Sequence, residues 1–371
     1  MATVTQTVQT QAEPEYVYFH YDGVWGHKRE VLKGSCRKQT FTEIPVVDIA
    51  RLYSQDVEER IGVAKEIIHA CENVGFFYIQ NHGIPQDLIH GTLESNKKYF
   101  NKPLDEKMQQ YIYKSRNLRG YEPVHGARVD ATKATGDRKE SFLFSYDPEE
   151  DEIVPELTEE QRALLSHNLW PEDDEGFRKQ SWDYHRALLR LARKMMQAFA
   201  LGLGEKETYF DELVTAPLTS IKKIHYPPQD LTSTDETGIG AHTDFVCFTI
   251  LHQDNTGGLD VLNANAEWVP APPIPGTFVV NIGDFLMRLT NNRFLSTVHR
   301  VKNVSGKDRY SMPFFFSFGM HDFVSVLPSC CGPDNPPKYE PITVSDYYKR
   351  RHEIQKKAFA DRQSGKATVY S

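Results

Sequence analysis

The pattern of apolar and polar positions changes period about halfway along the chain. Between about Glu43 and Gly204 helical spacing dominates. Ile44-Pro-Val-Val-Asp48 is a short apolar run, and after it Ile61, Ala64, Ile68 and Cys71 recur at the spacing of one helix face. Gly75 is the predicted stop of that helix. Phe76-Phe-Tyr-Ile79 then reads as a strand, and Asn81-His-Gly-Ile-Pro85 as a turn before a second helix. The clearest helix spans about Phe177 to Leu201, where Leu188, Ala192, Met195 and Phe199 form an apolar stripe that Gly202 and Gly204 end. The acidic stretch from Asp147 to Glu160 reads as a solvated loop.

From about Thr219 to Phe323 the runs shorten to strand length, separated by Gly, Pro and Asn clusters. They include Ser220 to Tyr226, Phe248 to Leu251, Leu259 to Leu262, Phe278 to Ile282 and Met312 to Phe318. Asn291-Asn292 is expected to form a tight hairpin turn after Leu286-Met-Arg-Leu289. So many short strands in succession imply an antiparallel sandwich or jelly roll, and the βαβ alternation of a Rossmann or TIM fold is absent. The fold class expected is therefore mainly β with surrounding helices. Residues 1–15 read as a disordered tail, and 16–371 as a single catalytic domain with a helix-rich accessory region, 42–204, and a jelly-roll core, 219–323.

Composition narrows the function classes. The 371 residues carry 43 basic against 51 acidic side chains, a formal charge of −8, which argues against a nucleic acid or an anionic membrane as the main partner. No apolar run approaches the roughly 18 residues that a membrane span needs. The first fifteen residues fit neither a secretory signal nor an Arg-rich transit peptide. Five cysteines, Cys36, Cys71, Cys247, Cys330 and Cys331, lack the spacing of a zinc module or disulfide framework, so a reducing, cytoplasmic location is expected. Nothing fixes the oligomeric state; a monomer is compatible with the sequence.

The candidate chemistry lies in histidines and carboxylates. Two imidazoles and one carboxylate on one face of an octahedral ion are typical of non-haem Fe(II) oxygenases. On a strand, residues i and i+2 point the same way, so H-x-D supplies two of the three groups. The chain has three such pairs: His20-Tyr-Asp22, His242-Thr-Asp244 and His252-Gln-Asp254. The first sits near the tail with no β-pattern around it and reads as surface. The last leads into Asn-Thr-Gly-Gly and reads as a turn. His242 and Asp244 follow Gly238-Ile-Gly240 and precede a buried-looking run, which selects them. The third ligand should come from another strand; His299, His321 and His225 are all candidates on this reasoning.

The motifs resemble those of the 2-oxoglutarate and Fe(II)-dependent oxygenases of the isopenicillin N synthase-like family over about Thr42 to Phe318. In the second half these are Gly240-Ala-His-Thr-Asp244, Gly257-Gly-Leu259, Trp268-Val269, Pro275 to Asp284, Thr290-Asn291, Ser296-Thr-Val-His-Arg-Val301 and Arg309-Tyr-Ser311. In the first half they are Ile44 to Asp48, Gly75-Phe-Phe-Tyr, Asn81 to Pro85, Arg119-Gly-Tyr121, Lys139-Glu140 and Asn168-Leu-Trp-Pro171. The resemblance implies a double-stranded β-helix core and iron held by His242, Asp244 and His299. It implies that Arg309, Ser311 and Tyr226 hold the far carboxylate of 2-oxoglutarate, a group suited to a guanidinium with hydroxyls beside it. Ile224 replaces the Asn that many relatives carry two residues before that Tyr, so this corner departs from the family pattern.

The reaction implied consumes O2 and 2-oxoglutarate, releases succinate and CO2, and oxidises a C–H bond of a small molecule, by resemblance a natural product. Phe245, Phe248, Phe314, Phe316 and Arg288 are candidate pocket residues, with Phe245, Phe316 and Arg288 preferred. Rival readings are an Fe(II) oxidase of this fold that does not use 2-oxoglutarate, a non-catalytic ligand binder, and a zinc hydrolase.

Overall fold

A computed structural model describes residues 14–130, 132–133, 135–165, 167–229, 238–303, 305–350 and 353. The expected tail lies outside these residues, apart from its last two positions. The strands are β1 (Tyr16–Tyr21), β2 (Val24–Glu30), β3 (Val46–Asp48), β4 (Phe76–Gln80), β5 (Gly120–Glu122), β6 (Glu140–Ser145) and β7 (Leu218–Tyr226). They continue with β8 (Ile239–His242), β9 (Phe248–Gln253), β10 (Leu259–Leu262), β11 (Trp268–Pro270), β12 (Phe278–Ile282), β13 (His299–Val301) and β14 (Arg309–Ser317). The helices are α1 (Val57–Asn73), α2 (Gln86–Phe100), α3 (Leu104–Lys107), α4 (Glu159–Leu165), α5 (Glu175–Gly202) and α6 (Asp284–Leu289).

Two sheets face each other. One has the order β11-β10-β13-β8-β1-β2; the other has the order β3-β4-β12-β9-β14-β7-β6-β5. Leu259, Val261 and Val301 of the first sheet pack against Tyr78, Ile224, Tyr226 and Val279 of the second, which is the interior of the jelly roll. The helix-rich half is therefore not a separate layer: its strands β3, β4, β5 and β6 complete the larger sheet.

Alternation decides what each face of that larger sheet does. Phe77, Phe248, Ile250, Val280, Met312, Phe314 and Phe316 point outward into the core formed with α1, α2 and α5. The intervening residues, including Arg309, Ser311, Thr249 and Asn281, point inward. Helix α1 starts at Asp56, whose carboxylate accepts the Glu58 amide, and it stops before Gly75 at φ +73°. A Cβ at Gly75 would lie 2.2 Å from the Leu295 carbonyl oxygen, so only glycine lets the chain turn there into β4. Helix α5 is capped by Asp174 and buries Leu188, Ala192, Met195 and Phe199, the stripe expected from sequence.

Three local expectations are corrected. Residues 284–289 form α6 rather than a hairpin strand, because Phe285, Leu286 and Leu289 fall on one buried helical face. Asn291 and Asn292 do take left-handed conformations, φ +55° and +67°, but they end that helix. Residues 16–21 form β1, although only Phe19 is buried, which is why no alternation marked it. The acidic segment is not simply solvated: Glu150 pairs with Arg186, and Asp151 with Arg193, fastening the segment to α5.

Candidate active site

The smaller sheet delivers the metal-type donors. Strand β13 pairs antiparallel with β8 so that His299 is opposite His242, and their rings lie 4.3 Å apart centre to centre. Asp244 follows two residues after the end of β8. One ligating atom from each of the three lies within 4.8 Å of the others. His242 Nε2 is 3.7 Å and His299 Nε2 3.9 Å from Asp244 Oδ1. Of the three candidates for the third group, only His299 joins this cluster. His225 instead faces the helices, bonded through Nδ1 to Glu140 and through Nε2 to Asp308, and His321 is exposed after β14.

Surrounding groups aim the three donors. His242 Nδ1 donates to the Gly240 carbonyl at 2.8 Å, and His299 Nδ1 to the Thr297 carbonyl at 3.2 Å. Each ring thus keeps its Nε2 lone pair toward the centre. Asp244 Oδ2 accepts from Thr249 Oγ1 at 2.6 Å and from Asn281 Nδ2 at 2.8 Å, which leaves Oδ1 facing the histidines. Burial, and then the neighbouring His299 ring, push His242 down to about 4, which favours the neutral imidazole. Burial raises Asp244, but His299, His242 and the two hydrogen bonds outweigh it and hold the carboxyl below its ordinary value. Strand β1 backs the site: His20 is paired with His242 in parallel, and its carbonyl accepts the Thr243 amide at 3.1 Å. His20 is therefore a structural neighbour of the site rather than the surface residue expected.

On the facing sheet, Arg309 starts β14 opposite Tyr226 at the end of β7. Its side chain is 0% exposed. Nε donates to the Gly257 carbonyl at 2.5 Å and Nη2 to Gln253 Oε1 at 3.4 Å, while Nη1 is buried with no hydrogen-bond partner. Among the described residues no carboxylate lies within ion-pair distance of it. A guanidinium buried without a counter-charge costs several kcal/mol, so the site calls for an anion. Ser311, two residues on, shares its face, and the Tyr226 hydroxyl interacts with both. The donor set and this unfilled guanidinium fit Fe(II) and the distal carboxylate of 2-oxoglutarate.

The substrate-side expectations fare differently. Phe316 is fully buried against Phe248 on the helix side of the sheet, and Phe248 meets Phe199 of α5; Phe314 shares that face. These three are core, and the inward member of the run is Phe315, one position away. Arg288 donates to the Glu340 carbonyl and lies 4.7 Å from the Tyr339 ring centre, and Phe245 packs edge-on to Tyr348. Both seat the C-terminal segment. Sequence reasoning missed Thr249 and Asn281, although inward parity on β9 and β12 marks them.

Two family models match the chain: one described as "non-haem dioxygenase in morphine synthesis N-terminal" over residues 44–173, the other as "2OG-Fe(II) oxygenase superfamily" over residues 218–318. The 2-oxoglutarate-Fe(II) type oxidoreductase ppzC of Metarhizium rileyi is 38% identical, covering 87% of this chain and 90% of that protein. The oxidoreductase hxnY of Emericella nidulans, of the same type, is 37% identical over 86% and 95%. The structure of Neurospora crassa T7H with alpha-KG and thymine superposes with TM-score 0.73 at 26% identity, covering 85% of this chain and 97% of that one. With the site's donors, its unpaired guanidinium and these relatives in agreement, the chain belongs to the 2-oxoglutarate–Fe(II) oxygenase superfamily and is a dioxygenase that uses Fe(II), 2-oxoglutarate and O2.

Proposed function

We propose that His242, Asp244 and His299 hold the iron, that Arg309, Ser311 and Tyr226 hold the distal carboxylate of 2-oxoglutarate, and that the enzyme oxidises a small organic molecule of secondary metabolism. The observation that carries this reading is the pairing of three converging donors with a buried guanidinium that, among the described residues, has no carboxylate partner. Iron and cosubstrate together supply O2 activation coupled to decarboxylation, with succinate and CO2 as the by-products.

The chain's own residues do the rest. Asp244 is the one anionic ligand, and Thr249 and Asn281 fix which of its oxygens faces the metal. Arg309 orients the cosubstrate by charge-assisted bonds. Ile224, Val261 and Val301 line the space between the sheets and exclude water, which strengthens every electrostatic contact there. The accessory and jelly-roll regions act as one catalytic unit, since they share a sheet. Five unpaired cysteines support a reducing, cytoplasmic location. The similarity to 2-oxoglutarate-Fe(II) type oxidoreductases favours 2-oxoglutarate as the anion that Arg309 takes up, over an oxidase that dispenses with it, a zinc hydrolase or a non-catalytic binder.

The test is Arg309→Met in protein reconstituted anaerobically with Fe(II). Loss of a buried charge pair predicts 2-oxoglutarate affinity at least about 100-fold weaker, with iron content unchanged. Equal loss of iron and cosubstrate would show Arg309 to be structural. Zinc-dependent hydrolysis with no succinate formation would overturn the assignment.

A further inference from the structure

The inward face of β7 carries Ser220, Lys222, Ile224 and Tyr226. Several inward residues of the large sheet keep solvent access, and Leu143, Ser220, Lys222 and Phe315 among them are neighbours on β6, β7 and β14. Phe315 is opposite both Thr249 and Ser220, so a single row runs from Asp244's hydrogen-bond partner to β7. Lys222 stands one inward position along from Ser220. Its strand is two strands, roughly 10 Å, from that of Thr249.

The Lys222 ammonium is 3.0 Å from Glu122 Oε2, and its side chain is 22% exposed. The same carboxylate oxygen also accepts from Ser141 Oγ at 3.2 Å and from Lys139 Nζ at 3.5 Å. One carboxylate oxygen thus serves two ammonium groups, and a second carboxyl stands near both. That carboxyl, Asp137, is buried and accepts the Gly240 amide at 3.4 Å, so it is engaged away from the open side where Lys222 lies. An ammonium has three donors, and this contact uses one. A partly desolvated cation with spare donors, beside the apolar Leu143 and Phe315, is the complement of an acid on an apolar body.

We infer that Lys222 is the substrate anchor, held in place by Glu122, and that the substrate is a small carboxylic acid with an apolar or aromatic body. This rests on the iron and 2-oxoglutarate assignment above.

The test uses the full chain and three aromatic acids, benzoate, phenylacetate and cinnamate, each beside its primary amide. Binding is read by calorimetry on the Fe(II)–2-oxoglutarate protein without oxygen, and turnover by succinate formed above the substrate-free rate. At least one acid should bind about 100-fold tighter than its amide, the worth of a desolvated charge pair. Lys222→Met should remove that preference, raising KM far more than it lowers kcat, with 2-oxoglutarate affinity unchanged; Lys222→Arg should restore part of it. Amides that bind as well as acids, or no binding by any acid, would overturn the inference. So would a Lys222→Met protein that keeps the preference or loses 2-oxoglutarate affinity. Wild-type protein that fails to bind 2-oxoglutarate would instead indict the Arg309 assignment.

Discussion

Thr249→Val isolates the orientation of Asp244, the carboxylate proposed to bind the metal. Valine keeps the β-branch and nearly the volume, so the change deletes one hydrogen bond and little else. That bond is the 2.6 Å contact from Thr249 Oγ1 to Asp244 Oδ2, and Thr249 is 2% exposed, so water has no route to replace it. A hydrogen bond to a charged group contributes about 1.5–3 kcal/mol. Converted to affinity, that is roughly 10- to 150-fold, in line with the 10- to 100-fold typical of losing a partner of a metal ligand. Asn281 still holds Oδ2, so the carboxylate rotates rather than leaves. The assay is anaerobic titration of metal-free protein with Fe(II) against a coloured chelator, with near-UV circular dichroism to confirm that packing is intact. An Fe(II) affinity within twofold of wild type would refute the claim that Thr249 sets the ligand geometry.

Two further outcomes are expected. Gly258→Ala, at φ +93°, would place a Cβ 2.2 Å from the Lys302 carbonyl oxygen and displace the neighbouring Gly257 carbonyl that fixes Arg309; a strain of about 1–3 kcal/mol should weaken 2-oxoglutarate binding about tenfold, and an unchanged Kd would count against this role of the loop. His185, buried on α5 with Nε2 bonded to Thr219 Oγ1, is pushed by burial down to about 3, so the unfolded chain takes up a proton below pH 6.5 that the folded chain refuses until about pH 3. Stability should therefore fall as pH drops through that window, by about 2–3 kcal/mol between pH 6.5 and 4.5. His185→Phe should flatten the slope by that amount in urea unfolding, and a parallel pH profile would contradict it.

The parts of the structure legible in the sequence are those where one local rule dominates. The stripe of α5 and the all-apolar Phe76–Ile79 strand announce themselves by period. His242 and Asp244 were separable from two decoys because only they precede a buried run; His299 needed the family resemblance, since spacing alone left His225 and His321 open. What failed depended on tertiary context. Residues 16–21 are an exception, because they form a hairpin with β2 across the local Asp22-Gly23 turn, φ +47° and +81°, which went unread because only Phe19 of the six is buried. Residues 284–289 have strand-like length but curl so that Phe285, Leu286 and Leu289 share a face. The Met312–Phe318 run has aromatic rings at three successive positions, so composition does not reveal its parity. Phe316, a candidate pocket residue, accordingly lies on the helix side, while Phe315, one residue away, lies on the inner side opposite Thr249.

That parity explains how one sheet meets two conflicting demands. The inward set Arg309, Ser311, Thr249, Asn281 and Lys222 is polar and costly to bury, and among the described residues no carboxylate pairs with Arg309. A sheet with that composition on both faces would not fold. The outward set, Met312, Phe314, Phe316, Phe248, Ile250 and Val280, buries its rings and branches against α1, α2 and α5, and that apolar area offsets the inner cost. Register is therefore fixed by the helix side, and the site inherits its geometry from it. Slipping β14 by one residue would put Arg309 into the apolar core and Met312 into the cavity, losing stability and cosubstrate binding together. The long helical stripe is thus as much a part of the oxygenase site as the histidines, because it decides which face of each strand looks inward.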